Sequence, residues 1–423
     1  MDIAPHLVNP LGFLFPVYKG SKHGMFMIEA GMWLYDGLAL FRTPRRHRRL
    51  SRKQARQEEP ALLADGLKGA PLYYDCSTND ARLTLETALD AAARGAVVAT
   101  RARVSRFVKD EQNRVVGAVV QDTLDATAER EVRARVVINA TGPWTDRTVQ
   151  MSVEQQSPLL RPTKGVHIVV DREKLPVQNA IICNHPDDGR VLFVLPWGEQ
   201  AYVGTTDTDY QGRPEDVCAT LEDVDYLVAA SNHYFPDHAI ARSDVISSWA
   251  GLRPLMAPPQ TDGQVDESKV SREHRIVVGN DGLITIAGGK LTTYRRMAAE
   301  VVETAVRLLR LQHGDLGELD GAHTDREPLP GAVGWPEDDD HDAVAAQAMA
   351  ASDGHLDART ARYLVDSYGM RGVDIAAAVA SDPALGEPLI PGRCEIVAEI
   401  PHAVNEELAC TVEDFMIRRT QLY

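Results

Sequence analysis

A strand, two glycines and a helix follow one another within residues 283–309, and this order constrains the fold more than any other stretch of the chain. Residues 283–287 form a short apolar, β-branched run, which is typical of a buried strand. Gly288 and Gly289 end that run, and glycine permits positive φ and close approach of a ligand to the backbone. Apolar residues then recur at helical spacing from Tyr294 onward. The pattern predicts a strand–turn–helix unit.

The start of the predicted helix is suited to an anion. Helix N-termini offer free backbone N–H groups and a partial positive charge, and Lys290 adds a full charge. Thr292 or Thr293 is placed to cap the helix. A phosphate, a carboxylate or a reduced flavin would fit such a site. An ordinary strand–helix connection with a solvated Lys290 explains the residues equally well, because Gly-Gly-Lys lacks a complete phosphate-loop motif.

The composition indicates a globular protein of two or three domains and excludes some functions. Of the 423 residues, 44% are hydrophobic and 25% are charged. A net charge of −16 argues against general nucleic-acid binding, which needs a basic face. The five cysteines form no C-x-x-C pair, so we expect reduced cytosolic thiols and no metal site. We expect neither a signal peptide nor a membrane-spanning helix.

Two neighbouring segments near the N-terminus are candidates for a surface contact. Residues 5–41 are apolar and aromatic, and residues 25–41 have the pattern of a helix. This helix fits either a membrane surface or a protein core that uses Met as filler. Residues 42–56 contain no acid, which fits contact with anionic headgroups or a solvated helix capped by Ser51. The core helix and the solvated helix are the interpretations we favour.

Strand patterns dominate the middle of the chain. Residues 133–139 predict a buried strand that ends in the small residues 140–142, at the kind of sheet edge where α/β folds bind ligands. A plain strand-to-loop turn is the alternative. Residues 191–197 and 201–207 predict a hairpin. Arg253 lies in an apolar stretch, and a buried Arg needs an anionic partner, either a carboxylate of the fold or a ligand.

Helical patterns occur before, within and after this strand-rich region. Residues 79–94 and 221–235 predict helices, and residues 96–100 predict a strand after the first of them. Residues 314–342 are rich in Gly, Pro and acids and have the composition of a linker. Residues 342–423 are Ala-rich with helical spacing, so a separate small helical domain is expected at the C-terminal end.

Nine motifs, in order, resemble the FAD-dependent glycerol-3-phosphate dehydrogenases, the respiratory enzymes that pass electrons to quinone. They are APHLVNPLGFLFPVY, YYDCSTNDARL, NATGPW, KGVHIVV, VLPW with VGTTDTDY, GLRPL, AGGKLTTYR, LPG and DFMIRRT. The resemblance implies an α/β (α+β) fold: an FAD/NAD(P)-binding flavoprotein domain with an antiparallel-sheet substrate domain, plus a small C-terminal helical domain. It places the oxidoreductase domain at residues 1–325, with its substrate sheet at about 150–285, and the helical domain at residues 326–423.

The resemblance also implies a cofactor site. Thr141 and Gly142 of NATGPW are similar to residues that contact FAD. The loop that runs along the pyrimidine edge of the flavin in the family corresponds to Gly288, Gly289, Lys290, Leu291 and Thr292.

The activity implied is oxidation of sn-glycerol 3-phosphate to dihydroxyacetone phosphate, with hydride transfer to flavin N5 and electrons passed on to a quinone. His167 resembles the histidine near the substrate hydroxyl, and a His suits the base because its pKa lies near neutral. Arg253, Arg272 and Lys290 are similar to the basic residues that hold the substrate. The family resemblance further implies a cytoplasmic protein that is peripheral on the inner face of the membrane.

One part of the family pattern has no counterpart in this sequence. The family opens with a strand and a Gly-rich fingerprint that holds the FAD pyrophosphate, and no G-x-G-x-x-G occurs in the 423 residues. We expect a start site assigned too late or a broken gene with an inert product, in preference to a missing half supplied by another chain. Two other functions stay open: an FAD-dependent amino-acid or sarcosine-type oxidase, and an inactive fragment unable to hold FAD.

Overall fold

The computed structural model describes residues 2–21, 24–38, 40, 44–153, 157–257 and 273–422, and the chain divides into two compact units. The larger unit comprises residues 11–75 and 103–319. The smaller unit comprises residues 1–10, 76–102 and 320–423. The C-terminal segment is therefore joined by two short segments from far earlier in the chain. The division of the chain after residue 325 stays a prediction.

Within the described residues the strands are β1 (Val8–Leu14), β2 (Val17–Tyr18), β3 (Arg48–Ser51), β4 (Leu67–Thr78), β5 (Ala102–Lys109), β6 (Val115–Asp122), β7 (Glu129–Arg133), β8 (Ile138–Asn139), β9 (Leu160–Asp171), β10 (Ala180–Asn184), β11 (Val191–Trp197), β12 (Gln200–Gly204), β13 (Thr208–Asp209), β14 (Val245–Met256), β15 (His274–Val278) and β16 (Ile284–Gly288). The α-helices are α1 (Met25–Leu38), α2 (Arg52–Glu58), α3 (Asp80–Ala93), α4 (Thr145–Gln150), α5 (Leu221–Tyr234), α6 (Tyr294–His313), α7 (His341–Ala351), α8 (Ala358–Tyr368), α9 (Arg371–Ser381), α10 (Glu399–Asn405) and α11 (Val412–Arg418).

A large mixed sheet forms the centre of the larger unit, in the order β13-β9-β12-β11-β10-β1-β4-β2, with β14 on β9 and β3 on β4. β11 and β12 form the expected hairpin. Alternate residues of β9, among them Val166, Ile168 and Val170, are fully buried in the core of this unit. Because side chains alternate along a strand, His167 lies on the opposite face of β9. There β14 pairs antiparallel along nearly the whole of β9, with Trp249 opposite His167.

A three-stranded sheet in the order β15-β16-β8 holds the central strand–glycine–helix segment. β16 is the middle strand of this sheet, and Ile284 is fully buried, which agrees with the buried strand that the apolar, β-branched residues predict. β8 pairs parallel to β16, with Asn139 opposite Thr285, and β15 pairs antiparallel. The carboxyl ends of β8 and β16 therefore meet at one edge of this sheet. α6 follows β16 as expected, and β5, β6 and β7 form a separate sheet.

Several local expectations need correction. In the segment 133–139 only Ile138 and Asn139 pair as a strand with β16, because Arg133 belongs to β7 and pairs with β6. Residues 96–100 form no strand, and Val97 is almost fully exposed, because this apolar run has no surface to pack against. Helix α2 does begin after Ser51, whose hydroxyl accepts a hydrogen bond from the backbone N–H of Gln54.

Helix α1 is not the core helix that we favoured. Met32 and Asp36 are its buried side chains, and most of its large apolar residues are exposed. Its apolar spacing correctly predicts a helix, but only a narrow face of that helix packs on the protein. Among the described residues, no helix combines the length and the apolar character needed to cross a membrane.

The smaller unit is helical, as expected for the C-terminal end, and is built from α3 and α7–α11. Its core contains Val344, Leu364 and Val379, which are fully buried. Arg82 on α3 is also buried and donates two hydrogen bonds of 2.8 Å to the carboxylate of Glu407. A buried arginine that is paired in this way ties the early helix to the C-terminal segment of the same unit.

Candidate functional site

Strand β14 brings Arg253 to a carboxylate of the fold. Its Nη1 donates to Oδ1 of Asp207 at 2.9 Å, and its Nη2 donates to the hydroxyl of Thr205 at 3.0 Å. The guanidinium is half-buried. Gly165, on the neighbouring strand β9, leaves room for it, because a Cβ there would lie 2.7 Å from Nη2. The internal carboxylate partner that the sequence left open is therefore present, and it is Asp207.

His167 lies on the adjacent strand in a close aromatic setting. Its ring stacks on Trp249 with 4.9 Å between ring centroids, and Tyr202 meets it edge-on at 5.7 Å. Gly204 lies so close that an added Cβ would be 2.1 Å from the ring carbon Cδ2. Nδ1 of His167 is buried and finds no hydrogen-bond partner within the described part of the chain. Packing, not hydrogen bonding, therefore fixes the orientation of this ring.

The pKa of His167 lies well below the near-neutral value that suited it to the role of base. Burial, followed by the positive charge of Arg253, lowers the pKa of His167 from 6.5 to about 4. The imidazole is therefore neutral at pH 7. A neutral imidazole can accept a proton, although a lower pKa makes it a weaker base. The same electrostatic coupling shows that the structure brings His167 and Arg253 together.

Glycines at the edge of the three-stranded sheet follow two parallel strands. Gly142 after β8 has φ of +54°, and Gly288 and Gly289 at the end of β16 have φ of +77° and +89°. A Cβ at Gly288 would lie 2.6 Å from the carbonyl oxygen of Glu273, whereas the space where Gly142 would carry its Cβ is open. The two turns therefore present bare backbone at one sheet edge, which is the arrangement that lets a nucleotide cofactor approach closely.

Thr141 takes part in the hydrogen bonds inside the first of these turns. Its hydroxyl donates to Oδ1 of Asn139 at 2.7 Å, and the amide of Asn139 donates to the carbonyl oxygen of Thr145 at 3.2 Å. Asn139 is buried and was not singled out by the sequence analysis. Its position directly before Ala-Thr-Gly, at the end of an apolar run, is the signal that could have found it. Asn139 thus fixes the turn that carries Thr141 and Gly142.

Lys290, Leu291 and Thr292 are exposed at the second turn. Leu291–Thr293 form a single 3-10 turn, and α6 starts directly after it. The expected threonine cap is wrong at Thr293, because its hydroxyl donates to the carbonyl oxygen of Lys290 at 3.0 Å and accepts nothing from the helix. The first N–H groups of α6 therefore lack a side-chain cap, and with the charge of Lys290 they remain suited to an anion.

The strand that carries Arg253 continues to the glycine turn. At the end of β14, Met256 packs against the turn, and its Cγ lies 3.1 Å from where a Cβ of Gly288 would stand. Ala257 then donates to the carbonyl oxygen of Leu159 at 2.8 Å. The larger unit thus assembles the His167–Arg253 pair and the two glycine turns around β14. Arg272, the other basic residue proposed for this site, lies outside the described residues.

Comparison with known proteins agrees with this architecture. A family model described as FAD dependent oxidoreductase matches residues 13–295, and a model described as the C-terminal domain of alpha-glycerophosphate oxidase matches residues 322–423. The aerobic glycerol-3-phosphate dehydrogenase of Staphylococcus haemolyticus is 37% identical over 421 residues, which are 98% of this chain and 73% of that protein. Its namesake from Staphylococcus aureus strain USA300 is 35% identical over 420 residues, with the same coverage.

Solved structures give the same result. The glycerol-3-phosphate dehydrogenase of Bacillus halodurans, crystallised with FAD, is 30% identical, with a TM-score of 0.78 over 99% of this chain and 74% of that chain. The L-alpha-glycerophosphate oxidase of Mycoplasma pneumoniae with FAD bound, at 17% identity and a TM-score of 0.51 over 72% of this chain and 74% of that chain, shares the fold. The chain belongs to the FAD-dependent oxidoreductases and, within them, to the family of the glycerol-3-phosphate dehydrogenases.

Proposed function

We propose that this chain oxidises sn-glycerol 3-phosphate to dihydroxyacetone phosphate and passes the electrons to a quinone. The observation that carries this proposal is the pairing of a neutral, partly buried His167 with Arg253 on adjacent strands, where β14 runs on to the glycine turn. A secondary alcohol with a phosphate needs a proton acceptor and a fixed cation, and this pair provides both. The names of the close relatives support the same substrate.

The residues present fit FAD. Gly142, Gly288 and Gly289 expose backbone at adjoining ends of two parallel strands, and we assign them, with Thr141 and the residues 290–292, to the cofactor. When bound, FAD supplies the acceptor for the hydride that leaves the carbinol carbon. The uncapped start of α6 and the charge of Lys290 would favour the negative charge that a reduced flavin carries.

The side chains of the site take separate roles in this proposal. His167 accepts the proton of the substrate hydroxyl, which its neutral imidazole allows at pH 7. Arg253 binds the substrate, and Asp207 and Thr205 hold its guanidinium in one orientation. Lys290 and Arg272 supply further positive charge for the phosphate. Asp207 offsets part of the charge of Arg253, so Arg253 alone does not balance a phosphate dianion. The charges of Lys290 and Arg272 add to the attraction.

The proposed acceptor, a quinone, dissolves in lipid, so we also assign the protein to the cytoplasmic side of the membrane as a peripheral protein. The support is chemical: electrons from a flavin site can reach a lipid-soluble acceptor only where the protein meets the membrane. Helix α1, whose large apolar side chains are mostly exposed, supports this assignment further.

The function is tested by visible absorption of the purified chain under anaerobic conditions, before and after each substrate. We expect a flavin band that glycerol 3-phosphate bleaches and that glycine, sarcosine and proline leave unchanged. Bleaching by an amino acid alone would favour the oxidase. A chain that shows no band, even after FAD is added, would be the inactive fragment, and the proposal would fail.

Arg253→Ala should lower kcat/KM for glycerol 3-phosphate by roughly 10²-fold or more, because it removes a charged partner of the substrate and leaves Asp207 unpaired. The measurement is dye reduction with a soluble acceptor, at equal flavin content. Arg242→Ala is the matched control, since exposed Arg242 pairs with Asp225 on the same unit, outside the site. Undiminished turnover by Arg253→Ala would remove Arg253 from the site.

A further inference from the structure

The turn between β10 and β11 contacts the segment that holds Arg253. Nη1 of Arg190, the last residue of this turn, donates a hydrogen bond to the carbonyl oxygen of Asp207. The carboxylate of the same Asp207 accepts from Arg253 at 2.9 Å, and the two Nη atoms of Arg253 each lie 3.3 Å from the carbonyl oxygen of Thr206. Asp207 therefore lies between two guanidinium groups, with Arg190 on its backbone and Arg253 on its side chain.

Asp207 belongs to a short connection that is tied to the sheet at two points. Residues 205–207 link β12 to β13, and both of these strands pair with β9. The hydroxyl of Thr206 accepts from the backbone N–H of Val166 at 3.0 Å, and the N–H of Thr206 donates to the carbonyl oxygen of Val166 at 3.3 Å. Arg190 adds a bond one residue later, from the other side of the sheet order, where β10 leads into β11. The residue that orients the substrate-binding guanidinium is thus tied to two separate parts of the sheet.

Contacts inside the turn hold Arg190 in place. Its backbone N–H donates to Oδ1 of Asp188 at 2.9 Å, and its carbonyl oxygen accepts from the N–H of His185 at 2.8 Å. The hydroxyl of Tyr226, on α5, lies 3.1 and 3.0 Å from the two carboxylate oxygens of Asp188, and its ring stacks on buried His185 with 3.7 Å between ring centroids. Arg190 is exposed, yet the turn that presents it is bonded to itself and to α5.

The contact that Arg190 makes with Asp207 differs from that of an ordinary surface arginine. Nε of Arg190 lies 3.6 Å from the Asp188 carboxylate, a loose ion pair of the kind that contributes little, whereas Nη1 hydrogen-bonds a main-chain carbonyl of the site. The positive charge placed there also opposes the negative charge of Asp207. Asp207 and a substrate phosphate both attract the guanidinium of Arg253, so a cation beside Asp207 shifts the balance toward the phosphate.

We propose that Arg190 is a positioning residue for substrate binding. It fixes the main chain at Asp207, and Asp207 in turn holds the guanidinium of Arg253 in the orientation that receives the phosphate of the substrate. Binding to a group that is already oriented costs less than binding to one that must first be ordered. Arg190 acts through Asp207 and takes no part in hydride or proton transfer. The inference rests on the proposed function, because it assigns the phosphate to Arg253.

Separate measurement of KM and kcat, with a soluble dye acceptor, tests this role. Arg190→Ala should raise KM for glycerol 3-phosphate about tenfold and change kcat less than about twofold, because the interaction lost serves substrate binding. Arg172→Ala is the matched control: Arg172 also donates to main-chain carbonyl oxygens, those of Val177 and Gly198 at 3.0 Å each, but directly after the far end of β9. It should leave both constants unchanged. A KM of Arg190→Ala equal to that of the unaltered chain, or a loss confined to kcat, would overturn the inference.

Rescue distinguishes positioning by Arg190 from general damage to the turn. Arg190→Lys keeps the charge and a donor, so its KM should lie close to that of the unaltered chain. Guanidinium chloride, far below denaturing concentrations, should lower the KM of Arg190→Ala, whereas the same concentration of sodium chloride should not. If Arg190→Lys were as impaired as Arg190→Ala and guanidinium had no effect, damage to the turn would explain the loss and the positioning role would fall.

Hydrogen exchange distinguishes failure of this inference from failure of the proposed function. In Arg190→Ala the amides of residues 205–209 should exchange several-fold faster than in the unaltered chain and in Arg172→Ala, whether or not the chain oxidises glycerol 3-phosphate. Faster exchange without bleaching of the flavin would keep the anchoring of Asp207 and remove the proposed function. Bleaching with unchanged KM and unchanged exchange would keep the proposed function and remove the role of Arg190.

Discussion

At the scale of single residues, the surroundings of His167 determine what it can do. The stacking of Trp249 and the close approach of Gly204 shield part of the ring from water, and Arg253 adds a positive charge nearby. Both effects disfavour the charged imidazolium, so the pKa falls to about 4. The neutral form needed to take up a proton is then present over the whole range near neutral pH.

This predicts an unusual pH profile for the proposed reaction. As the pH falls from 8 to 5.5, a base with a pKa of 6.5 would lose about tenfold in kcat/KM, because only about a tenth of it would stay neutral. With its pKa at about 4, His167 remains neutral at pH 5.5, so we expect the loss to begin only near pH 4. Steady-state kinetics with a soluble dye acceptor over this range is the measurement.

The phosphate of the substrate also titrates near pH 6. Comparison with a variant at each pH removes this contribution from the pH profile. Dividing kcat/KM of the unaltered chain by that of His167→Gln at each pH cancels the titration of the substrate, which is common to both. The quotient should stay flat from pH 8 to 5.5. A quotient that falls about tenfold across this interval would show that His167 has an ordinary pKa, and a quotient close to one at every pH would show that another group is the base.

At the scale of elements, sequence reasoning succeeded where the signal is local. The two glycines after the run 283–287, the hairpin of β11 and β12, and the Ser51 cap all lie within a few residues of the pattern that predicts them. The partner of Arg253 lies 46 residues away, so no local pattern could identify Asp207. The face of α1 was misread for a related reason. Apolar spacing shows that a helix has an apolar side, and only its neighbours show whether that side is covered.

The glycine turn at the end of β16 should tolerate no side chain at Gly288. In Gly288→Ala the added Cβ would meet the carbonyl oxygen of Glu273 at 2.6 Å, at a φ of +77° that alanine rarely adopts. The turn must then shift, and we expect the purified variant to retain several-fold less FAD, measured as the ratio of flavin to protein absorbance.

Gly282→Ala is the control that distinguishes the effect of backbone strain from damage to the cofactor turn. Gly282 has a φ of +81°, close to that of Gly288, but its nearest atom lies 3.9 Å from the added Cβ and it sits in the turn between β15 and β16, at the other end of the sheet. This variant should carry a similar backbone strain and keep its flavin. Equal flavin loss in both variants would mean that general destabilisation, not the cofactor turn, explains the result.

At the scale of the whole molecule, the smaller unit joins parts of the chain that are far apart in sequence. Arg82 of α3 and Arg371 of α9 both donate to Glu407, and Arg371 also pairs with Glu86 at 3.0 Å. Arg82 in addition lies over the ring of Tyr368 at 4.2 Å. The separation of 325 residues between Arg82 and Glu407 explains why no local sequence pattern indicated that residues 76–102 belong with the C-terminal helices.

This network makes the stability of the smaller unit depend on pH. Burial raises the pKa of Glu407, but the hydrogen bond from His402 and the charge of Arg82 lower it more, so its pKa lies well below the ordinary value of 4.5. The folded unit therefore holds this proton less tightly than the unfolded chain. The stabilisation by Glu407 is complete above about pH 4.5 and is lost as the pH falls below that value.

Glu407→Gln should therefore destabilise the smaller unit strongly. The substitution leaves two arginines facing a neutral amide in a buried site, and removing one partner of a buried pair costs about 3–5 kcal/mol. Hydrogen exchange of peptides from residues 76–102 and 320–423 at neutral pH should then accelerate roughly 10²-fold or more, while peptides from 160–257 keep their rates. Asp342→Asn is the control, because its pair with Arg362 is exposed and such pairs contribute about 0–1 kcal/mol. If both variants exchanged at the same rate, the buried pair would not hold α3 to the C-terminal helices, and the apolar core of the unit would have to account for that association.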